Sequence, residues 1–220
     1  MSVPQFAIVR LTAAHDRTNF ASGDEPLDRF IKEQAVQAMR DRACAVFVAT
    51  PVDDVARVIG YYTLSPATLP AGGVPEDLRA RLPRYPELPA ALLGRLAVHE
   101  AYGGKGLGSL LIANALRRTE AQRDLPVMFL VVDAYEQARN FYLNLGFAPV
   151  MNSQTRLFIA LSRLSRGAHP GDVIQAASQS QSLADDAGAG GGKPPACTAR
   201  KRDACLYGPF VLPSPHTWMM

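Results

Sequence analysis

The sequence predicts an α/β (α+β) domain with a mixed central sheet flanked by helices, and three observations indicate this class. Short apolar runs typical of strands alternate with segments whose apolar residues recur at helical spacing. The run 127–132 is almost wholly apolar, which favours a strand that is buried on both faces. Hydrophobic residues make up 48% and charged residues 20% of the 220 residues, so the chain can fill a packed core.

The first predicted element is a helix, because apolar residues from Leu27 to Ala38 recur at helical spacing and Asp24 precedes Pro26 as a capped start. Strands are predicted over 45–49 and 58–64, with a hairpin-like turn at Asp53 and Asp54 between them. Residues 66–90 are rich in proline and glycine, which predicts a long loop with a short helical patch near 76–82.

The second half of the domain continues the alternation of strand and helix. The pattern predicts strands over 92–98, 127–132 and 156–161, and helices over 107–122 and 135–145. Gly146 follows the last helix, at the position where a left-handed C-cap is expected.

The composition changes once, which divides the chain into a domain over residues 1–164 and a tail over residues 165–220. The tail contains the run Gly-Ala-Gly-Gly-Gly-Lys-Pro-Pro at 188–195. Such a segment buries too little apolar surface to offset the entropy lost on ordering, so we expect the tail to be disordered.

Several protein classes are excluded or disfavoured by charge and cysteine content. The formal charge of +3 is too small to indicate a nucleic-acid-binding protein by itself. The cysteines at 44, 197 and 205 have no paired spacing, so neither a disulfide framework nor a metal site is predicted. Without a long apolar run or a signal peptide, we expect a soluble, cytoplasmic protein that does not enter a membrane.

The main chemical signal is a glycine-rich segment, Gly103-Gly104-Lys105-Gly106-Leu107-Gly108-Ser109, between a predicted strand and a predicted helix. Glycines let backbone N–H groups converge, and the following helix places its positive end at the same point, so the segment favours a phosphate group. A nucleotide-triphosphate loop requires Ser or Thr after the lysine, which is absent. A dinucleotide site, which requires a third glycine where Ser109 stands, and a loop without ligand both remain open on spacing alone.

The surroundings of this loop add a family resemblance. Residues Leu93 to Val98, the glycine loop and the segment Phe-Tyr-Leu-Asn-Leu-Gly-Phe at 141–147 together resemble the GNAT N-acetyltransferase family over residues 5–164. The family's loop pattern has Gln or Arg where this chain has Gly103, so one side chain near the pyrophosphate is missing.

The resemblance implies a GNAT fold, acetyl-coenzyme A as co-substrate and a set of site residues. The backbone of Leu96, Ala97 and Val98 should hold the acetyl and pantetheine groups. Asn140 should contact the pantetheine arm, and Tyr142 should act as general acid toward the departing thiolate. The remaining implied residues cradle the pyrophosphate: Gly104, Gly106, Gly108 and Ser109.

A narrower resemblance, carried by Phe20 to Phe30, Gly60 to Leu64 and Arg84 to Val98, is to the acetyltransferase toxins of toxin–antitoxin pairs. It implies acetylation of the α-amino group of aminoacyl-tRNA, a ribbon-helix-helix antitoxin as partner, and a homodimer. Arginines in the long loop are candidates for contacts with the tRNA backbone: Arg79, Arg81 and Arg84.

The sequence contains no obvious general base, which favours an α-amine over a lysine as acceptor. A free α-amino group has a pKa of about 7.7–8.0 against about 10.4 for lysine, so part of it is neutral at cellular pH. Two alternatives remain open: a GNAT enzyme that acts on a small amine or a protein lysine, and a coenzyme-binding module without catalytic activity.

Overall fold

The computed structural model describes residues 6–122 and 124–161. The tail predicted at 165–220 lies outside the described residues, so its predicted disorder stays a prediction. No helix in the described part of the chain is long and apolar enough to cross a membrane.

The centre of the domain is a seven-stranded mixed sheet with the order β1-β2-β3-β4-β5-β7-β6. All neighbouring strands are antiparallel except β4 and β5, which are parallel. This mixed sheet confirms the predicted fold class. The strands are β1 (Phe6–Arg10), β2 (Ala45–Pro51), β3 (Gly60–Pro70), β4 (Glu87–Val98), β5 (Phe129–Asp133), β6 (Ala148–Pro149) and β7 (Arg156–Ala160).

Helices cover both faces of the sheet, which explains the apolar sequence of its central strands. One face carries a helical stretch formed by α1 (Glu25–Arg29), a π-helical turn (Phe30–Gln34) and α2 (Ala35–Arg40). The other face carries α4 (Leu107–Ala121) and α5 (Glu136–Asn144). A short helix, α3 (Glu76–Arg79), lies in the connection between β3 and β4.

The predicted helices and the predicted hairpin between β2 and β3 are confirmed, but the predicted long loop over 66–90 is wrong in part. β3 continues to Pro70 and β4 begins at Glu87, so only residues 71–86 connect them. Proline cannot donate to a strand ladder, and the prolines at 66, 70 and 89 made these strand ends look like loop. The short strands β1 and β6 were not predicted from the sequence.

The start of the first helix agrees with its predicted cap. The Asp24 carboxylate accepts a hydrogen bond from the Leu27 backbone N–H at 3.2 Å, and Pro26 occupies the first turn. The π-helical turn that follows was not predicted. Arg17 donates from Nη1 to the Ile31 carbonyl at 3.3 Å, so this side chain supports the turn from outside the helix.

A polar contact fixes α4 against the sheet. The hydroxyl of Tyr62, a residue with no exposed surface, donates to Asn114 Oδ1 at 2.7 Å. Arg118 donates from Nε to the same oxygen at 2.8 Å and from Nη2 to the Ile8 carbonyl at 3.0 Å. The guanidinium also lies 4.4 Å from the centre of the Phe47 ring. These contacts connect α4 to three strands and so hold the helix into which the glycine segment leads.

We expect Asn114→Ala to lower the free energy of unfolding by about 2 kcal/mol, because the buried Tyr62 hydroxyl then has no acceptor. Chemical denaturation of the two single variants and the Asn114→Ala/Tyr62→Phe double variant measures the coupling. In the Asn114→Ala protein, the further substitution Tyr62→Phe should lower the free energy of unfolding only slightly. Fully additive costs would show that this hydrogen bond does not stabilise the fold.

Candidate active site

The site is an opening between β4 and β5. These strands pair in parallel from Ala90 with Phe129 to Leu93 with Val132, and the pairing then stops. β4 continues to Val98, and among the described residues it pairs there only with β3. The strands therefore separate after Leu93, and no described strand lies beside this edge of β4. We call this opening the cleft.

A β-bulge decides which backbone groups face the cleft. Thr63 pairs with Arg95 and Leu64 with Leu93, so Gly94 is an extra residue in β4. Before the bulge, the Pro89 carbonyl accepts from Met128 N–H at 2.9 Å, so the backbone N–H and carbonyl groups of odd-numbered residues in β4 point toward β5. After the bulge, His99 N–H donates to the Ile59 carbonyl at 2.9 Å, so the backbone groups of odd-numbered residues point toward β3.

Leu96 and Val98 therefore direct their backbone N–H and carbonyl groups into the cleft, whereas those of Ala97 face β3. The side chain of Ala97 is buried on the face covered by α1 and α2. The geometry supports two of the three predicted backbone contacts, those of Leu96 and Val98. All three stay predictions as contacts with a ligand.

The glycine loop lies at the end of β4 and leads into α4. Gly104 and Gly106 have positive φ angles of 70° and 77°, which favour glycine. A Cβ at either position would meet no atom of the described part of the chain within 4 Å, so both glycines border open space there. The first helical hydrogen bond here runs from Leu110 N–H to the Gly106 carbonyl, which leaves the N–H groups of Leu107, Gly108 and Ser109 available to an anion.

The other two glycines of the loop have different roles. A Cβ on Gly108 would lie 3.3 Å from Phe141 Cζ, so this glycine permits the close approach of α4 and α5. Gly103 has an ordinary φ of −61°, and a Cβ there would lie 3.2 Å from the Glu100 carbonyl oxygen. A side chain at 103 therefore needs only a small shift of the backbone.

Positive charge adjoins this loop. Lys105 donates from Nζ to the Ala101 carbonyl at 2.9 Å and lies 5.6 Å from the centre of the Tyr102 ring. The Arg57 guanidinium lies 5.8 Å from the same ring. Two cations beside a set of free N–H groups favour a ligand with several negative charges, such as a pyrophosphate.

Tyr142 is held in place by the end of its own helix. Gly146 has a φ of +88°, which confirms the predicted left-handed C-cap. Phe147 N–H donates to the Tyr142 carbonyl at 3.1 Å and Gly146 N–H to the Leu143 carbonyl at 3.0 Å, which together form a Schellman motif. The Tyr142 ring packs edge-on against Phe141 and Phe147 with centroids 5.3 and 5.5 Å away. The segment Phe-Tyr-x-x-x-Gly-Phe thus forms one compact unit.

The Tyr142 hydroxyl differs from those of the other buried tyrosines. Burial raises the pKa of Tyr142 to about 12, so the hydroxyl stays protonated at neutral pH. Tyr61 and Tyr62 donate their hydroxyl protons to Leu27 O and Asn114 Oδ1, but the Tyr142 hydroxyl has no hydrogen-bond partner among the described residues. A protonated hydroxyl without a partner is suited to donate to a bound ligand.

The other predicted site residues lie away from the Tyr142 side chain and the glycine loop. Asn140 is exposed and lies two residues before Tyr142, about 200° around α5 from it. Its predicted contact with the pantetheine arm stays a prediction. The predicted tRNA-contacting arginines lie in the connection 71–86, beyond Glu87 at the start of β4, and Glu87 is about 23 Å along the strand from the bulge at Gly94. They are all exposed: Arg79, Arg81 and Arg84.

One ion pair at the cleft was missed by sequence reasoning. Arg156 donates from Nε and Nη2 to the two carboxylate oxygens of Asp133, both at 2.8 Å. Asp133 ends β5 where the strands separate, so this bidentate pair braces one wall of the cleft. Twenty-three residues separate the partners, and no local pattern in the sequence connects them.

Taken together, the cleft fits acetyl-coenzyme A. The free edge of β4 offers hydrogen bonds to an extended, amide-bearing arm, and the loop after it offers N–H groups to a pyrophosphate. No group of three or more metal-ligating side chains occurs within residues 6–122 and 124–161. The class that the fold and cleft define is therefore an acyltransferase that takes its acyl group from coenzyme A.

The acetyltransferase (GNAT) family matches residues 10–147, and the chain belongs to this family. The prediction of an acetyltransferase that uses acetyl-coenzyme A is confirmed at the level of the family. The chain is 32% identical over 140 residues to a tRNA-acetylating toxin of Mycobacterium tuberculosis (strain ATCC 25618 / H37Rv), which covers 63% of this chain and 81% of that protein.

Two solved structures are also similar. One is AtaT complexed with acetyl-methionyl-tRNAfMet, at 28% identity and a TM-score of 0.69, covering 73% of this chain and 98% of that one. The other is a tyrosine-to-phenylalanine variant of the toxin AtaT bound to the C-terminus of the antitoxin AtaR and acetyl-CoA. Its identity is 27% and its TM-score 0.62, covering 73% of this chain and 96% of that one.

We expect Gly103→Arg to tighten acetyl-coenzyme A binding severalfold, because it restores a cationic side chain beside the loop on a backbone that accepts one. Isothermal titration calorimetry measures the dissociation constant. Gly103→Met is the control, since it adds a long side chain without charge and should leave the affinity unchanged. Equal affinity of the arginine variant and the original protein would show that the backbone N–H groups suffice.

Proposed function

We propose that this protein is a toxin that transfers the acetyl group of acetyl-coenzyme A to the α-amino group of an aminoacyl-tRNA and thereby blocks translation. The observation that carries the proposal is the cleft itself, where Leu96 and Val98 present backbone groups that no described strand pairs with, next to a glycine loop that leads into α4. The similarity to a tRNA-acetylating toxin and to AtaT supports the choice of acceptor.

In this proposal the coenzyme is held along β4. Leu96 and Val98 bind the pantetheine arm through their backbone groups, and the N–H groups of Gly104, Gly106, Gly108 and Ser109 bind the pyrophosphate. When bound, acetyl-coenzyme A supplies an activated acetyl carbon and a sulfur that leaves with negative charge. The protein contributes orientation of the thioester and a proton donor beside the sulfur.

Tyr142 is the proton donor. Its pKa of about 12 exceeds that of a cysteine-type thiol, about 8.5, so full transfer of the proton to a thiolate is uphill by about 5 kcal/mol. We therefore assign it the donation of a hydrogen bond from Oη to the departing sulfur. As the new C–N bond forms and the C–S bond breaks, Tyr142 passes this proton to the sulfur and takes up the proton that the nitrogen releases, which leaves the amide, the coenzyme A thiol and a neutral tyrosine.

Two candidate bases near the cleft already have other contacts. Asp133 is paired with Arg156, and His99 accepts from Ala101 N–H at Nδ1 at 3.2 Å. An acceptor that is already neutral does not need a base. At pH 7.5 about a third of an α-amine with a pKa near 7.8 is neutral, against about 0.1% of a lysine, so the site favours an α-amine.

This assignment predicts the pH dependence of the reaction. We expect kcat/KM to rise with pH through the pKa of the substrate amine and then to stay level up to pH 9. The falling limb is absent because Tyr142, with its pKa raised to about 12, keeps its proton throughout this range. Initial rates between pH 6 and 9 check the profile, and a decrease above pH 8 would mean that a different acid is used.

We propose three further properties of this protein, which concern its partner, its oligomeric state and its contacts with tRNA. The partner is a ribbon-helix-helix antitoxin, in keeping with the antitoxin-bound AtaT. The protein forms a homodimer in the cytoplasm, which sedimentation analysis of the purified protein tests. The exposed arginines at 79, 81 and 84 contact tRNA phosphates distant from the cleft, although Glu76, Asp77 and Glu87 balance their charge.

The decisive experiment incubates the protein with labelled acetyl-coenzyme A and a full set of aminoacyl-tRNAs. Label should appear in charged tRNA, be absent from uncharged tRNA, and be released by mild base as an N-acetyl amino acid. Transfer to a polyamine or a peptide lysine without transfer to any charged tRNA would favour the small-amine or lysine enzyme. Binding of the coenzyme without any transfer would indicate a module without catalytic activity.

A further inference from the structure

Arg95 occupies a defined position at the point where β4 and β5 separate. Its backbone N–H donates to Thr63 Oγ1 at 3.0 Å, just after the bulge. Its guanidinium carbon lies 4.0 Å from the centre of the Phe30 ring, which is only 3% exposed. The Phe30 ring in turn stacks on Tyr61 with centroids 6.1 Å apart. A charged side chain is thus held on a rigid aromatic support.

The Arg95 guanidinium has no hydrogen-bond or ion-pair partner among residues 6–122 and 124–161, and the residue is exposed. Two other arginines that pack against the sheet already have hydrogen-bond partners. Arg118 also lies over a ring, but it donates to Asn114 and Ile8, and Arg156 is paired with Asp133. The N–H donors of Arg95 therefore remain available to a ligand.

Arg95 and Tyr142 lie on opposite faces of the sheet. Phe30, which supports Arg95, belongs to the core under α1 and α2, whereas Tyr142 belongs to the core under α4 and α5. Leu96, whose backbone faces the cleft, is the next residue, with its Cα about 3.8 Å from that of Arg95. Arg95 thus lies beside the cleft on the face of the sheet opposite to that of Tyr142, so an acceptor held by Arg95 meets the cleft from that face.

Resting on the proposed function, we propose that Arg95 binds the phosphate on the 5′ side of the 3′-terminal nucleotide of the aminoacyl-tRNA and so positions the α-amine at the cleft. The aminoacyl group is esterified to the terminal ribose, so the phosphate of that nucleotide is the anion nearest the amine. A planar guanidinium binds two phosphate oxygens at once, which fixes orientation as well as distance. Arg95 is in this sense a positioning residue.

The test compares two acceptors: the charged tRNA that receives label, and the methyl ester of the same amino acid, which carries the α-amine but no phosphate. Arg95→Met should raise KM for the charged tRNA about tenfold or more and leave kcat/KM for the methyl ester unchanged. Arg95→Lys keeps the charge but cannot bind the phosphate in a bidentate way, so its KM for the charged tRNA should be intermediate. The slope of log KM against log salt should become shallower by about 0.7 in the methionine variant.

Arg117→Met is the matched control, because it removes an exposed arginine from α4 on the other face of the sheet and should change none of these quantities. Melting temperature and acetyl-coenzyme A affinity should stay unchanged in every variant. Equal losses with both acceptors, or no loss with charged tRNA, would overturn the role of Arg95 alone. Absence of label in any charged tRNA with the original protein would overturn the proposed function and this role together.

Discussion

Tyr142→Phe is expected to lower kcat by about 100-fold or more while the fold and the acetyl-coenzyme A affinity stay unchanged. The substitution keeps the ring packed against Phe141 and Phe147 and removes only the hydroxyl. Because that hydroxyl has no partner among the described residues, its removal leaves no protein group unsatisfied. Single-turnover rates with labelled coenzyme measure the effect on the chemical step.

Tyr62→Phe is the matched control for this experiment. Tyr62 is also a buried tyrosine, but its hydroxyl is bonded to Asn114 on the side of the sheet where α4 packs. Its removal should lower the free energy of unfolding by about 1 kcal/mol and leave kcat nearly unchanged. A Tyr142→Phe protein with full activity would eliminate the proposed proton donor.

Gly106→Val is expected to weaken acetyl-coenzyme A binding by roughly 30-fold or more. The residue has a φ of +77°, and a β-branched side chain in that conformation is strained by about 1–2 kcal/mol or more. A loop that relaxes to a negative φ turns its N–H groups away from the pyrophosphate. The new side chain also enters the open space that the ligand needs.

The control for this loop is Gly103→Val, which introduces the same side chain three residues earlier. Gly103 has a φ of −61°, so valine causes no left-handed strain there, and we expect a change in affinity below threefold. Equilibrium dialysis with labelled coenzyme compares the two variants directly. Equal affinity of Gly106→Val and the original protein would rule out the loop as the pyrophosphate site.

Features that depend on neighbouring residues in the chain were predictable from the sequence. The cap at Asp24, the left-handed Gly146 and the limits of α4 each follow from contacts within one turn or one helix. The glycine loop belongs to the same class, since its shape depends on the residues it contains. The resemblance to the GNAT family, which the family match confirms, rests on these local segments.

Features that depend on pairing between distant segments were not predictable. The proline-rich ends of β3 and β4 looked like loop because their strand partners lie about 20 residues away in the chain. The ion pair between Asp133 and Arg156 likewise joins separate elements.

The amino-acid sequence by itself determined the kind of chemistry, because the glycine loop before α4 and the segment around Tyr142 are each formed by residues that are close together in the chain. Only the tertiary structure decided which backbone groups of β4 face the cleft. One extra residue at Gly94 reverses the alternation along β4, so that Leu96 and Val98 face the cleft and Ala97 does not. The same bulge places Arg95 on Phe30 at the cleft, whereas the arginines that follow α3 lie at the far end of the hairpin. Register is a property of paired strands, and no single segment of the chain contains it.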